Sequence, residues 1–202
     1  MFKPTPWIKN VLLDRDGTII EEKHYLHKPE DIVFYPQTLT FLKQLRDNNV
    51  KIFIVTNQSG LGRGYFSLND YHEVEKKIKN TLEKHNIKVE ATVFCPHKPE
   101  QRCSCRKPKT GLWDTLSQKF SLLPEQSVMI GDKLSDIKFG LNARCAINFL
   151  VLTGHGTNEA QKHKLPFTSS YTLATWQGQK IVVAKNLYFV WQYLKKCKLG
   201  YS

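Results

Sequence analysis

The sequence predicts an α/β fold, with a central parallel sheet layered between helices. Short β-branched runs alternate with segments of helical periodicity along most of the 202 residues, and such alternation builds a parallel sheet through crossover helices. The strand runs are short, apolar and bounded by turn residues, as buried strands are. Polar and acidic residues recur just after these runs, at the strand ends where open α/β sheets bind their ligands.

In chain order, strands are expected at 11–14, 51–56, 89–94, 127–131 and 146–152, and helices at 38–47, 69–85, 111–120 and 135–143. Tyr71, Val74, Ile78 and Leu82 form one apolar stripe of the second helix, for which Ser67 or Asn69 is a plausible cap. Leu187, Val190, Trp191 and Leu194 mark a basic C-terminal helix at about 185–198, whose stripe is expected to pack on its own domain. The polar segment 154–170 reads as a long surface loop. Residues 1–202 read as a single domain, with no repeat and no linker.

Apolar residues make up 41% and charged residues 24% of the chain, a globular composition. Its apolar runs are too short to span a bilayer. Residues 1–6 lack the apolar core of a secretory signal, so a soluble cytoplasmic protein is expected, without membrane association. A net charge of +12 favours acidic partners: nucleic acid, anionic lipid or phosphorylated metabolites. The excess is spread over 79–88, 98–109 and 195–198 without a long basic block. A nucleic-acid binder should interleave aromatics along a basic stripe, whereas the aromatics of the tail 188–201 fall on the apolar face of its helix. A small phosphorylated molecule is the expected partner and a monomer the expected state.

Four strand ends carry chemistry. Val11-Leu12-Leu13 runs into Asp14-Arg15-Asp16-Gly17-Thr18. Phosphoryl transfer to a protein needs a nucleophile, an acid for the leaving oxygen and a cation, and two aspartates so spaced can divide the first two tasks. The same four residues also occur as a solvated turn. The second strand ends in Thr56-Asn57-Gln58-Ser59-Gly60, whose hydroxyl, amides and backbone N–H groups can cradle phosphate oxygens. Arg106-Lys107-Pro108-Lys109 offers cations for the same phosphate, and Pro108 restrains Lys107 to an extended conformation. The fourth strand leads into Gly131-Asp132-Lys133-Leu134-Ser135-Asp136, suited to holding Mg²⁺. Asp136 serves equally well as a first-turn helix acid.

Three of the five cysteines fall within residues 95–105. Cys95-x-His97 and Cys103-x-Cys105 are joined by five residues. Residues two apart in extended chain point the same way, so each pair can chelate, and three thiolates with one imidazole make a closed tetrahedral structural Zn²⁺ site. A disulfide beside an unrelated histidine is the alternative. Cys145 reads as a core residue and Cys197 as a free surface thiol.

Taken in order, the four motifs resemble those of the haloacid dehalogenase superfamily, a likeness spanning about residues 11–154. It implies a Rossmann-like three-layer α/β/α sandwich with, here, a minimal cap and a zinc loop. By that resemblance, Asp14 is the nucleophile and Asp16 the general acid, then the base. Thr56 and Lys107 hold the phosphoryl group, and Asp14, the backbone carbonyl of Asp16, and Asp132 bind Mg²⁺.

The zinc loop, the segment Tyr25-Leu26-His27-Lys28-Pro29-Glu30-Asp31 and the motif Thr56-Asn57-Gln58-Ser59-Gly60-Leu61-Gly62-Arg63-Gly64-Tyr65 are similar to those of the D-glycero-D-manno-heptose 1,7-bisphosphate 7-phosphatases. The five-residue link within the zinc loop instead matches histidinol phosphatases. The implied substrate is a sugar bisphosphate, with Asn57, Gln58, Ser59, Arg63, Arg106 and Lys133 as substrate contacts. The implied pocket is open, shaped by 21–29, 61–66 and the zinc loop.

Overall fold

The computed structural model describes residues 8–199, so the expectations for residues 1–6 and Tyr201 lie outside it. One seven-stranded sheet in the order β3-β2-β1-β4-β5-β7-β6 carries the chain. In its interior lies β1 (Asn10–Leu13), wholly buried and paired in parallel with β2 (Lys51–Asn57) and β4 (Ser127–Gly131). The short helix α2 (Ser59–Arg63) follows β2; next to β2 lies β3 (Ala91–Cys95), and next to β4 lies β5 (Ile147–Val151), both parallel. Beyond them β7 (Gln179–Ala184) continues the parallel order, and β6 (Tyr171–Trp176) closes the edge antiparallel to β7.

Alternation along each strand sends side chains to two separate cores. Val11, Leu13, Ile52 and Ile54 face α1 (Thr38–Asp47), α3 (Leu68–Glu83) and α7 (Leu187–Leu199), packing with Phe41, Ile78 and Trp191. Leu12, Phe53 and Val55 face α4 (Gly111–Phe120) and part of α5 (Leu134–Asn142), packing with Trp113 and Phe139. The sandwich therefore has helices on both faces, as the alternation requires. Of the two candidate caps of α3, Ser67 is the one used: its Oγ accepts from the Asp70 N–H at 3.2 Å, and the Asp70 carboxylate accepts from the Ser67 N–H at 2.8 Å.

Two expectations need correction, and the expected parallel sheet carries one element that was not foreseen. The segment 154–170 is not all loop: it contains α6 (Gly156–Lys162), docked by the fully buried Ala160. A short polar helix with one apolar anchor leaves no periodic signal to read. The sheet is not wholly parallel, because β6 and β7 form a hairpin. Its two-residue turn, Gln177-Gly178, takes positive φ at both positions (+48° and +74°), the twist-compatible hairpin geometry. Gln is an uncommon residue for that position, and the turn was unread. Finally, Cys197 is half-buried and hydrogen-bonded to Tyr193 rather than a surface thiol, whereas Cys145 is buried as expected.

Phe53 is 0% exposed and meets Phe120 edge-on at 5.1 Å between ring centroids. Phe53→Ala is expected to cost about 3–5 kcal/mol in urea denaturation, the range for emptying an aromatic core site. A loss under about 1 kcal/mol would contradict this packing.

Candidate active site

Parallel register brings the motifs to one edge. Leu13 pairs with Ile54 on one side and Ile130 on the other, so Asp14, Thr56 and Asp132 all follow at the same sheet end. The Asp14 N–H still donates to Ile130 O at 2.9 Å, which fixes the direction of the chain as it leaves the sheet.

Lys107 reaches this edge from outside the sheet. Asn57 grips its backbone, accepting from the Lys107 N–H at 3.0 Å and donating to its carbonyl at 3.2 Å. Its ammonium, 3% exposed as a residue, donates to Asp14 Oδ1 at 2.7 Å and Val55 O at 2.6 Å, with Asp136 Oδ1 at 2.7 Å. A buried ammonium is tolerated only when its three donors are answered. Burial works against the charge, but Asp136 and Asp14 outweigh it and hold Lys107 above its ordinary range.

Asp14, Asp132 and Asp136 bring carboxylate oxygens within 4.8 Å of one another, all buried. Burial pushes Asp14 up to about 6 against the pull of Lys107, and burial with the charges of Asp14 and Asp136 raises Asp132 well above a normal carboxylate. Asp132 Oδ2 accepts from the His155 N–H at 2.8 Å, but its Oδ1 is buried without a partner. An orphaned buried oxygen among mutually repelling carboxylates fits a divalent cation of the oxygen-loving kind. Gly17, at φ +81°, lets the chain pass close by, since a Cβ there would run into the Asp132 carboxylate.

Gln58 joins two motif residues, donating to Asp16 Oδ2 at 2.9 Å and Thr56 Oγ1 at 2.8 Å. A cavity of about 280 Å³ opens over this edge, lined by Asp14, Asp16, Thr56, Asn57, Gln58, Ser59, Lys107 and Lys133, among others. Of the segments expected to shape it, 21–29 does so through Glu22, Lys23 and His24, whereas 61–66 and the zinc loop do not line it. Sequence reading missed His155 on the rim, whose Nε2 lies 3.3 Å from Glu22 Oε2, itself 3.2 Å from Lys133 Nζ. Single polar residues in loops carry no spacing signal by which to find them. Two expected contacts are elsewhere. Arg63 pairs with Glu100 at 3.6 Å and Arg106 donates to His97 O at 3.2 Å, and neither lines the cavity.

The zinc-loop residues do gather. Cys95 Sγ lies 3.5 Å from Cys103 Sγ and 3.6 Å from His97 Nδ1, and Cys105 Sγ lies 3.5 Å from Cys103 Sγ and 3.3 Å from His97 Nδ1. Zinc bonds of about 2.3 Å to sulfur imply tetrahedral edges of about 3.8 Å, so the four atoms already outline a site that lacks only the ion's small expansion. The thiols are free, which removes the disulfide alternative.

A family model described as polynucleotide kinase 3 phosphatase matches residues 9–164. The chain belongs to this family. It is 36% identical over 174 residues to a Photorhabdus laumondii D-glycero-alpha-D-manno-heptose-1,7-bisphosphate 7-phosphatase, covering 83% of this chain and 95% of that protein. It is 38% identical over 145 residues to a Helicobacter pylori D-glycero-beta-D-manno-heptose-1,7-bisphosphate 7-phosphatase, covering 71% and 84%. Among solved structures, a D,D-heptose 1.7-bisphosphate phosphatase of B. bronchiseptica, complexed with magnesium and phosphate, superposes with a TM-score of 0.80 at 27% identity, covering 94% of this chain and 99% of that one. Membership of this phosphatase family agrees with the haloacid dehalogenase resemblance of the four motifs. Among the described residues, no helix is long and apolar enough to cross a membrane.

A carboxyl group must lose its proton to ligate a cation. With Asp14 raised to about 6 in the ion-free site, protons compete with magnesium in mildly acid solution. Magnesium affinity measured by calorimetry is expected to fall by roughly tenfold per pH unit per displaced proton below about pH 6. Equal affinity at pH 7.5 and pH 5 would contradict the assignment of Asp14 to the ion site.

Proposed function

We propose that this phosphatase removes the C7 phosphate of D-glycero-D-manno-heptose 1,7-bisphosphate through an aspartyl-phosphate on Asp14, a step towards nucleotide-activated heptose for the lipopolysaccharide core. The observation that carries the chemistry is the buried Lys107 ammonium 2.7 Å from Asp14 Oδ1, at the mouth of a carboxylate-rich cavity. Support for the substrate comes from full-length relatives named for it.

In the first step an Asp14 oxygen bonds to phosphorus while the bond to the sugar oxygen breaks. Asp16 gives its proton to that departing alkoxide. In the second, Asp16 takes a proton from water as the water oxygen bonds to phosphorus, and Asp14 leaves as carboxylate. Thr56 Oγ1 and Lys107 Nζ hold the phosphoryl oxygens, and Gln58 ties Thr56 to Asp16 so that cradle and acid move together. Asp14, Asp132 and the Asp16 carbonyl would hold magnesium, which would supply positive charge to offset the repulsion between carboxylate and phosphate dianion. Zinc at Cys95, His97, Cys103 and Cys105 is structural, ordering the loop that delivers Lys107. Lys133, Lys23 and His24 line the same cavity, and the two lysines give it a cationic rim for the distal phosphate. Arg63 and Arg106 reach that phosphate only by leaving their present partners.

The family description names a polynucleotide 3′-phosphatase, so a 3′-phosphorylated oligonucleotide belongs in the test beside histidinol phosphate. Steady-state assays are expected to give kcat/KM for the heptose bisphosphate at least about 100-fold above both, a difference of about 2.7 kcal/mol. Asp14→Asn is expected to lower kcat by at least about 10³-fold, as loss of a nucleophile does elsewhere. Preference for histidinol phosphate or the oligonucleotide would overturn the substrate, and robust turnover by the Asn variant would overturn the mechanism.

A further inference from the structure

Arg15 sits between the two motif aspartates, where sequence reading gave it no role. It is the largest fully buried side chain among the described residues, at 1% exposure. A guanidinium so deeply buried needs an answer for its charge and for each N–H. Two groups answer the charge and three of its five N–H donors. Nε and Nη2 fork onto the two oxygens of Asp16 at 3.0 and 3.1 Å, while Nη1 donates to Glu75 Oε1 at 2.7 Å. The guanidinium carbon also lies 5.6 Å from the centre of the Tyr71 ring.

Tyr71 and Glu75 are four residues apart on α3 and therefore share a face. Tyr71 is itself buried and packs against Phe94 of β3 at 4.2 Å. The grip on Asp16 is thus anchored in a long helix and an edge strand, outside the four motifs. Asp16 Oδ2, which accepts from Arg15 Nε, also accepts from Gln58 Nε2 at 2.9 Å. Its side chain keeps 15% exposure, and it lines the cavity.

We propose that Arg15 and Glu75 are positioning residues for Asp16: α3 aims the acid–base carboxylate at the phosphorus site through the Arg15 fork. The proposal rests on the role given to Asp16 above. Glu75 fixes the rotamer of Arg15, and Arg15 fixes the plane of the carboxylate. A misaimed carboxylate still lets Asp14 attack, but protonates a departing alkoxide poorly. The defect therefore depends on how much the leaving group needs a proton.

That dependence separates positioning from general structural support. The measurement is single-turnover release of the leaving group, by rapid quench, from a sugar phosphate with an alkoxide leaving group and from p-nitrophenyl phosphate, whose phenolate departs without protonation. Glu75→Gln keeps the shape and removes the charge that orients Arg15. Arg15→Lys keeps the buried charge and removes the fork. Each is expected to slow sugar-phosphate cleavage by about 10- to 100-fold, the lower part of the range for general acid catalysis. Neither should change p-nitrophenyl release by more than about threefold, and KM should stay close to wild type.

Equal loss on both substrates, or no loss on either from both variants, overturns the proposal. Asp16→Asn serves as the reference. If it fails to show the same leaving-group selectivity, the role of Asp16 itself is wrong, which is a different failure from that of Arg15 and Glu75.

Discussion

The buried ammonium of Lys107 is the interaction on which the rest of the site depends. It lies at 2.6–2.7 Å from Asp14, Asp136 and the carbonyl of Val55, which come from or just after β1, β2 and α5. Those elements are brought together by the register of the parallel sheet, so the ion group is as much a tie across strand ends as a part of the chemistry. Lys107 itself belongs to no strand. Asn57 holds its backbone from one side, and the loop carrying Cys95, His97, Cys103 and Cys105 precedes it. A loop with little apolar side chain of its own needs such external fixing to place a charge reproducibly.

The second constraint is that this fold collects more negative charge than one lysine balances. Asp14, Asp132 and Asp136 are all buried, and that burial, with their mutual repulsion added to it, raises Asp14 and Asp132. A metal-free site is therefore strained electrostatically towards protonation, and the unpartnered Asp132 oxygen marks where a cation relieves it. Asp16 stands apart from that cluster. Its side-chain oxygens are answered by Arg15 and Gln58, which keeps the carboxylate outside the ion group, as the proton-transfer role proposed for it requires. The fold thus gives two aspartates, two residues apart, different surroundings.

Much of this was legible in the chain. The apolar runs were placed within two residues of the strands, because buried parallel strands carry a dense and local signal. Asp14, Thr56, Lys107 and Asp132 were found because strand ends in such sheets face one crevice. The four zinc-loop residues were found because chelation imposes short spacings. Arg15 and Glu75 were not, since their pairing joins residues 60 apart in sequence and a buried guanidinium looks no different from a surface one until its partners are placed. The β6–β7 hairpin was missed because its turn is Gln-Gly rather than a common turn pair, and α6 because one alanine anchors it. Arg63 and Arg106 show the reverse: proximity in sequence to a motif did not put them in the cavity, where each instead has a partner outside it.

The central claim is that Asp14, steadied by Lys107, carries the phosphoryl group covalently. Quenching a reaction in acid and reducing with borohydride converts an aspartyl-phosphate to homoserine, which peptide mass spectrometry locates. The account predicts homoserine at position 14 alone, dependent on magnesium and substrate. Homoserine at another aspartate, or none under conditions where turnover continues, would contradict it.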